Sequence, residues 1–138
     1  MTQREEHTMH KEEFLRRANT GTLGPITEVA EYEAKALRFL NPRMAENLAE
    51  AGLMNAILGV CGEAGELADL LKKHLHQGHP LHIGELAEEA GDVLWYVALL
   101  CRVLGFSLGE VMAGNIRKLE RRYGDRFSVE KSLHREGE

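Results

Sequence analysis

A short acidic phrase that occurs twice is the feature of this sequence most able to do chemistry. Glu-Ala-Gly-Glu at 63–66 is followed, 26 positions later, by Glu-Ala-Gly-Asp at 89–92. Each phrase reads as helix, and a spacing of three puts its two carboxylates on one helical face. Two such faces turned toward each other gather four like charges, which repel strongly unless a cation lies between them. The pattern predicts a hard divalent cation bound by carboxylate oxygens between two helices.

The surroundings of these acids favour a functional role over a solvated one. Glu63 borders the apolar stripe of its helix, and Asp92 directly precedes the most apolar segment of the chain. We therefore expect neither to be freely solvated, and a buried charge must be paired or bind metal. Gly59, Gly62 and Gly65 recur every three residues, at about 1 kcal/mol each relative to alanine. Their cost predicts a close helix approach or room for a ligand beside the acids.

The elements that must position these acids all read as helices. No segment alternates with period two for long enough to indicate a strand, so the predicted fold class is all-α. The three prolines fall at breaks between helical patterns. Short connections between long helices predict antiparallel neighbours and a four-helix-bundle-like core. The predicted long helices are 27–40, 46–77, 82–104 and 107–123, with a shorter helix near 11–17. Thr27 is the predicted cap of the first long helix. The last long helix opens with a capping box and is closed by Gly124.

The predicted organisation is one helical domain with two polar ends. Residues 1–24 form an N-terminal extension, residues 25–127 the helical domain, and residues 128–138 a polar tail. The segment 93–104 carries Arg102 as its single charge and is apolar nearly all round, so it needs cover on several sides. A second subunit is the expected source of that cover, which predicts a homodimer or homotetramer.

Composition excludes several classes of partner. The formal net charge is −5 and no basic patch is large enough for a nucleic-acid backbone, so a DNA or RNA polymer is not expected. The longest apolar run, 93–101, is too short to span a bilayer, and the N-terminus lacks the apolar core of a secretory signal. Cys61 and Cys101 read as reduced, packed thiols. We expect a cytoplasmic protein that does not bind membranes.

Three stretches together resemble a known family. They read GEAGELADLLKK at 62–73, EEAGDVLWY at 88–96 and NIRKL followed by RY within 115–123. In order and spacing they resemble the two acidic helices and the closing helix of the MazG-like all-α nucleoside triphosphate pyrophosphohydrolases, over about residues 27–127. The resemblance implies Mg²⁺-dependent hydrolysis between the α- and β-phosphates of an NTP or dNTP, giving the monophosphate and pyrophosphate, with Mn²⁺ as a substitute ion.

The same resemblance assigns roles to the acids. It implies that Mg²⁺, which prefers oxygen ligands and is commonly completed by substrate phosphates, is held by all four. A glutamate not fully engaged with the metal can orient or deprotonate the attacking water. Glu63 and Glu66 are the candidate catalytic residues, with Glu66 preferred for that role. The implied metal ligands are Glu63, Glu66, Glu89 and Asp92.

Two residues near the acidic phrases are candidates for substrate binding. Lys73 lies two helical turns after Glu66 on the same face, where it can reach a phosphate as a point charge. It can equally be a surface lysine favoured by the helix dipole. Trp95 follows the second phrase, where it packs in the core or stacks on a nucleotide base.

The last long helix supplies three more candidates. Asn115 interrupts its apolar stripe, so it either fixes the packing register or contacts phosphate, sugar or a metal-bound water. Lys118 lies three residues on at the edge of the stripe, and the two can address one ligand together. Arg122 shares the face of Lys118 and is a further candidate for phosphate binding.

Two other functions stay open. A ferritin-like dimetal carboxylate oxidase requires Glu-x-x-His on two helices, and neither phrase contains a histidine. All-oxygen ligands favour Mg²⁺ or Mn²⁺ over iron. A non-catalytic helical dimer, acting as a regulatory or assembly module, is the other alternative; the complete set of acids together with Asn115 and Lys118 argues against it.

Overall fold

The computed structural model describes residues 3–18 and 25–134, in which helices joined by short connections are present and no strand occurs. The all-α prediction is confirmed. A 3₁₀ turn at 37–39 and a π-helical turn at 48–52 interrupt the helices. The helices are α1 (Gln3–Arg17), α2 (Val29–Ala36), α3 (Pro42–Glu46), α4 (Leu53–Gln77), α5 (Ile83–Val103), α6 (Leu108–Tyr123) and α7 (Val129–Leu133).

A hairpin of the two longest helices, α4 and α5, forms the centre of the fold. Gly78 ends α4 in the left-handed region at φ 73°, which glycine adopts without steric cost, and its N–H donates to the carbonyl of Lys73. Ala98 and Leu99 on α5 are fully buried. The predicted bounds of α5 agree with the structure, whereas α4 begins at 53 rather than 46. Asn41 and Pro42 start a separate helix, α3, and the π-helical turn follows it.

A glycine allows close packing within this hairpin. A Cβ placed on Gly59 would lie 2.2 Å from ring atoms of Tyr96, so the aromatic ring of α5 packs directly on the backbone of α4. The other two glycines of the predicted series differ from Gly59. Among the residues that the structure describes, none has a heavy atom within 4 Å of a Cβ placed on Gly62 or Gly65. Packing within the chain therefore explains one of the three glycines.

Two long-range hydrogen bonds hold α2 against the other helices. The indole N–H of Trp95 donates to the carbonyl of Ala36 at 2.8 Å, and the backbone N–H of Leu108 donates to Oε1 of Glu33 at 2.7 Å. The prediction of Thr27 as the cap of this helix is wrong. The N-cap position is Glu28, which makes no side-chain capping bond, because the helix begins two residues later than expected.

The capping box predicted for α6 is confirmed, and so is its end. The N–H of Glu110 donates to Oγ of Ser107 at 3.1 Å, while the N–H of Ser107 donates to the Glu110 carboxylate at 2.8 Å. Gly124 closes the helix at φ 76°. The axis of α6 is bent by 98° from that of α5. Within the described part of the chain α6 contacts α2, α5 and α7 but not α4, and a four-helix bundle stays a prediction.

The apolar segment of α5 finds much of its cover within the chain. Cys101 is buried with Ala98, and α1, α2 and α4 all pack on α5. Leu94 and Leu104 remain exposed. The second subunit predicted over this segment is therefore not needed for most of it, and the oligomeric state stays a prediction.

The two ends contain more helix than expected. The helix predicted near 11–17 is α1, which begins at Gln3 and packs Phe14 beside Gly84 of α5. The tail contains α7, whereas residues 1–2, 19–24 and 135–138 lie outside the described residues. The boundaries predicted for the domain stay predictions.

No single helix among the described residues is long and apolar enough to span a membrane. Only α5 and α6 taken together, as a pair with a bend between them, have that length and composition.

The cysteines differ from the prediction in one respect. Both are free, and Cys101 is buried as expected. Cys61 is exposed, because it lies on the side of α4 that faces away from α5. The prediction that both thiols are packed is therefore wrong for Cys61 in the single chain.

Candidate metal centre

Three of the four predicted acids meet between α4 and α5. Glu63 of α4 and Glu89 and Asp92 of α5 each offer a carboxylate oxygen, and the three oxygens lie within 4.8 Å of one another. Glu63 and Glu89 are half-buried. Asp92 is exposed, so the expectation that it is shielded from solvent is wrong in the single chain. We call these three residues the acid cluster.

The close packing at Gly59 explains why these acids converge. Glu63 lies one helical turn after Gly59 on α4, and Asp92 lies one turn before Tyr96 on α5. Because the ring of Tyr96 rests on the Gly59 backbone, the two helices are in close contact within one turn of the acids. A larger residue at 59 would separate the helices and move Glu63 away from Asp92.

The electrostatics of the cluster favour the loss of one negative charge. Burial raises the pKa of Glu89, and the charges of Glu63, Asp92 and Glu66 raise it further, together with a hydrogen bond to Glu63. Like charges at this separation are stabilised either by a proton or by a cation. The raised pKa therefore accords with a site that accepts a positive ion at neutral pH.

Glu66 lies beside the cluster rather than in it. Its side chain is exposed and is not among the three that meet, but its charge contributes to the raised pKa of Glu89. A carboxylate at this position remains available to a water molecule or to a metal ion that enters the site.

Lys73 lies at the edge of the same region and has a partner within α4. Its Nζ lies 2.5 Å from Oδ2 of Asp69, which also pairs with Lys72. Hydrogen bonds from the two lysines lower the pKa of Asp69 to about 2. The pKa of Lys73 is raised mainly by Asp69, with smaller effects of Glu66 and Glu85. Lys73 is thus near the acids and forms an ion pair with Asp69. The site predicted from the sequence did not include Asp69.

Three aromatic residues of α5 and α2 belong to the surroundings of the cluster. The indole N–H of Trp95 is bonded to α2, and its ring meets that of Tyr96 edge-on at 4.9 Å between centroids. Base stacking by Trp95 stays a prediction. Tyr32 of α2 has its pKa raised by burial and by the charge of Asp92, so its phenol lies near the cluster. No local sequence signal could place it there, since the two residues are 60 positions apart.

The three candidates on α6 lie on a helix that is not packed on α4. Within the described part of the chain, α6 contacts α2, α5 and α7 but not α4, the helix that carries Glu63. The axis of α6 is bent by 98° from that of α5. A role of Asn115, Lys118 and Arg122 at the acid cluster stays a prediction.

The donor set of the cluster fits a hard divalent ion. All three donors are carboxylate oxygens, which suit Mg²⁺ and Mn²⁺, and no histidine or cysteine of residues 3–18 and 25–134 joins them. Mg²⁺ binds oxygens at about 2.0–2.1 Å in an octahedron, so two ligand oxygens lie about 2.9 Å apart when adjacent and about 4.2 Å apart when opposite. Oxygens up to 4.8 Å apart therefore need to close by at most about 2 Å to share one ion, which side-chain rotation can supply. Glu63, Glu89 and Asp92 would hold it.

The raised pKa of Glu89 yields a test of metal binding. A carboxyl whose pKa is raised on folding destabilises the protein when ionised, so its cost is absent below its ordinary pKa of 4.5 and complete above the raised one. Without metal, we expect Glu89→Gln to raise Tm at pH 7.5 by about 2–4 °C. We expect Mg²⁺ to raise the Tm of the wild type at that pH and to lose this effect as the pH falls toward 4.5, because protons compete for the ligands.

Differential scanning calorimetry between pH 4.5 and 8 measures both effects. Glu46→Gln, on exposed α3, is the matched control and should behave as the wild type. An equal Mg²⁺ shift in Glu89→Gln and in the wild type would remove Glu89 from the metal site.

This chain is similar to a known protein family and to a known protein. A family model described as MazG nucleotide pyrophosphohydrolase domain matches residues 53–127, just over half of the chain. The "Gene 37 protein" of Mycobacterium phage L5 is 40% identical over 75 residues, which are 51% of this chain and 66% of that protein. No solved structure matches the chain significantly. The matched segment contains α4, α5, α6 and the whole acid cluster.

Proposed function

Because this chain belongs to the MazG nucleotide pyrophosphohydrolase domain family, we propose that it is a Mg²⁺-dependent nucleoside triphosphate pyrophosphohydrolase. It cleaves an NTP or dNTP between the α- and β-phosphates and releases the monophosphate and pyrophosphate. The convergence of Glu63, Glu89 and Asp92 inside the matched segment is the observation that carries this proposal.

In this proposal the four acidic residues have two different roles in the reaction. Glu63, Glu89 and Asp92 would hold the ion, which would supply positive charge to the phosphates and to the phosphoryl group under attack. Glu66, exposed beside the cluster, orients a water molecule and accepts its proton. The water oxygen bonds to one phosphorus of the α–β anhydride, the bond from that phosphorus to the bridging oxygen breaks, and the two products share the atoms of one water.

Cationic and amide side chains bind the rest of the substrate in this proposal. Lys73, kept at the edge of the cluster by Asp69, contacts a phosphate oxygen. Trp95 forms part of the wall beside the base, with its ring orientation fixed by the bond to Ala36. Asn115, Lys118 and Arg122 contact the phosphates, and a homo-oligomer in the cytoplasm remains the expected setting.

A nucleotide panel tests the proposed reaction. Purified protein is incubated with each of the common NTPs and dNTPs and Mg²⁺, and the products are separated by anion-exchange chromatography. We expect monophosphate and pyrophosphate in equal amounts, Mn²⁺ in place of Mg²⁺ to support the reaction, and none with excess EDTA.

The other functions give different results in the same assay. Diphosphate and inorganic phosphate as products would contradict cleavage at the α–β bond. No product from any nucleotide, in folded protein that binds Mg²⁺, would support a non-catalytic module. Redox-active bound iron would support a dimetal oxidase.

A further inference from the structure

Asp69 pairs with two lysines that lie on different sides of α4. Nζ of Lys73 lies 2.5 Å from Oδ2 of Asp69, while Lys72 donates to Oδ1 of the same carboxylate. Gly59, Glu66 and Lys73 are spaced by seven, so Lys73 lies on the side of α4 that packs on α5 at Gly59. Lys73 is accordingly half-buried, whereas Lys72, about 100° away around the helix, is exposed. Asp69 therefore holds one lysine on the side of α5 and another that faces solvent.

The ammonium of Lys73 lies next to the acid cluster, on its hairpin-loop side. Side chains of a helix lean toward its N-terminus, and the contact with Asp69 places the ammonium one turn before Lys73 itself. Its pKa is raised mainly by Asp69 and further by the charges of Glu66 on α4 and Glu85 on α5. Glu85 lies one turn before Glu89. The ammonium is thus beside both helices, one turn from the acids toward the connection between them.

Aromatic residues lie in the opposite direction from the acid cluster. Along α5, Glu85 precedes the acids, whereas Trp95 and Tyr96 follow them. Tyr96 packs on Gly59, which lies before the acids of α4, whereas Lys73 lies after them. A nucleotide that extends along these helices across the cluster therefore meets a cation at one end and aromatic rings at the other. A phosphate chain suits the first end and a base the second.

We propose that Lys73 binds the terminal phosphate of a nucleoside triphosphate, and that Asp69 is the positioning residue that holds Lys73 for this contact. The inference rests on the proposed function, which places the α–β bridge of the substrate at the acid cluster. A diphosphate bound with its bridge at the same place has no phosphate that reaches Lys73. The pair then selects triphosphates over diphosphates.

The double pairing of Asp69 suits this role. A lysine side chain has several rotatable bonds, and fixing it when a phosphate binds costs conformational entropy. The ion pair with Asp69 orders Lys73 before the substrate arrives. An ammonium has three N–H donors, so one can bond to Asp69 while another bonds to a phosphate oxygen. Because two lysines outweigh the single charge of the carboxylate, the group as a whole attracts an anion.

Binding of uncleavable analogues tests the contact without turnover. The α,β-methylene analogues of nucleoside triphosphates and diphosphates, with each of the common bases, are titrated into the full chain with Mg²⁺ in a calorimeter. For the base that binds most tightly, we expect Lys73→Met to weaken the triphosphate analogue by about 10-fold, because a charge-assisted hydrogen bond is lost. Binding of the diphosphate analogue should not change. Equal weakening of the two analogues, or of neither, would overturn the assignment of Lys73.

Lys72→Met is the matched control. It removes the same charge from the neighbouring residue and from the same carboxylate, but on the side of α4 that faces solvent. We expect it to bind both analogues as the wild type does, with circular dichroism unchanged in both lysine variants. A loss of triphosphate affinity as large as that in Lys73→Met would reveal a general effect of positive charge and would overturn the proposal.

A double-mutant cycle tests whether Asp69 acts through Lys73. Asp69→Asn keeps the size of the side chain and removes its charge, and we expect it to weaken the triphosphate analogue by about 2–5-fold, the range of an exposed ion pair. In a chain that already carries Lys73→Met, the same change should have no further effect. Equal effects in the two backgrounds would make Asp69 a structural residue only. Tighter binding in Asp69→Asn would show that Asp69 competes with the phosphate.

Steady-state kinetics separate this inference from the proposed function. A contact to the terminal phosphate is made in the ground state and in the transition state alike, so Lys73→Met and Asp69→Asn should raise KM with kcat nearly unchanged. A lowered kcat with unchanged KM would overturn the positioning role. An inactive wild type that binds the triphosphate analogue through Lys73 would refute the proposed function alone. An active wild type whose lysine variants bind both analogues normally would refute this inference alone.

Discussion

Replacement of Glu63 by glutamine should abolish pyrophosphate release while leaving the fold intact. Glu63 is the one member of the acid cluster that α4 contributes, so its loss leaves the ion with ligands from α5 alone. A bound metal supplies several kcal/mol of transition-state stabilisation, and a loss of about 4 kcal/mol lowers the rate by about 10³-fold. Glutamine keeps the size of the side chain, which separates the lost charge from a packing defect.

Steady-state pyrophosphate release measures this effect, with calorimetric titration of Mn²⁺ as the second readout. We expect the variant to lose both activity and Mn²⁺ affinity, with circular dichroism unchanged. Glu46→Gln should retain full activity and affinity. Wild-type Mn²⁺ affinity in Glu63→Gln would show that the acid cluster is not the metal centre.

Replacement of Gly59 by alanine should have the largest effect on stability. The new Cβ would lie 2.2 Å from two atoms of the Tyr96 ring and 2.5 Å from the ring carbon nearest the backbone. The ring cannot avoid the contact by moving its tip, so the two helices must separate. Overpacking of this kind costs about 1–3 kcal/mol, which exceeds the gain of about 1 kcal/mol from the higher helix propensity of alanine.

Gly114→Ala on α6 is the matched control for this variant. No heavy atom of the described residues lies within 4 Å of the new Cβ, so alanine should stabilise by up to about 1 kcal/mol. Urea unfolding of both variants measures the difference. We further expect Gly59→Ala to lose Mn²⁺ affinity, because the same separation moves Glu63 from Asp92. Equal stability of the two variants would mean that the helices are not in close contact at Gly59.

The sequence was sufficient to predict the features that depend only on residues close to one another along the chain. Carboxylates three apart share a helical face wherever the helix packs, so the repeated acidic phrase identified the residues that cluster between α4 and α5. The capping box at Ser107 and Glu110 and the C-terminal cap at Gly124 were predicted because their hydrogen bonds and dihedral angles are local. The helical class followed from the same short-range periodicity.

Only the tertiary structure decided which distant groups meet. Gly59, Gly62 and Gly65 look alike in the sequence, but one touches Tyr96 and two face open space. The acid cluster contains Glu63 and not Glu66, because the packing angle of α4 on α5 turns one inward and leaves the other exposed. The bend of 98° after α5 sets the direction of α6, which does not contact α4 within the described part of the chain. Such outcomes depend on how helices cross and turn, which is set by the sum of many packing contacts rather than by residues adjacent in sequence.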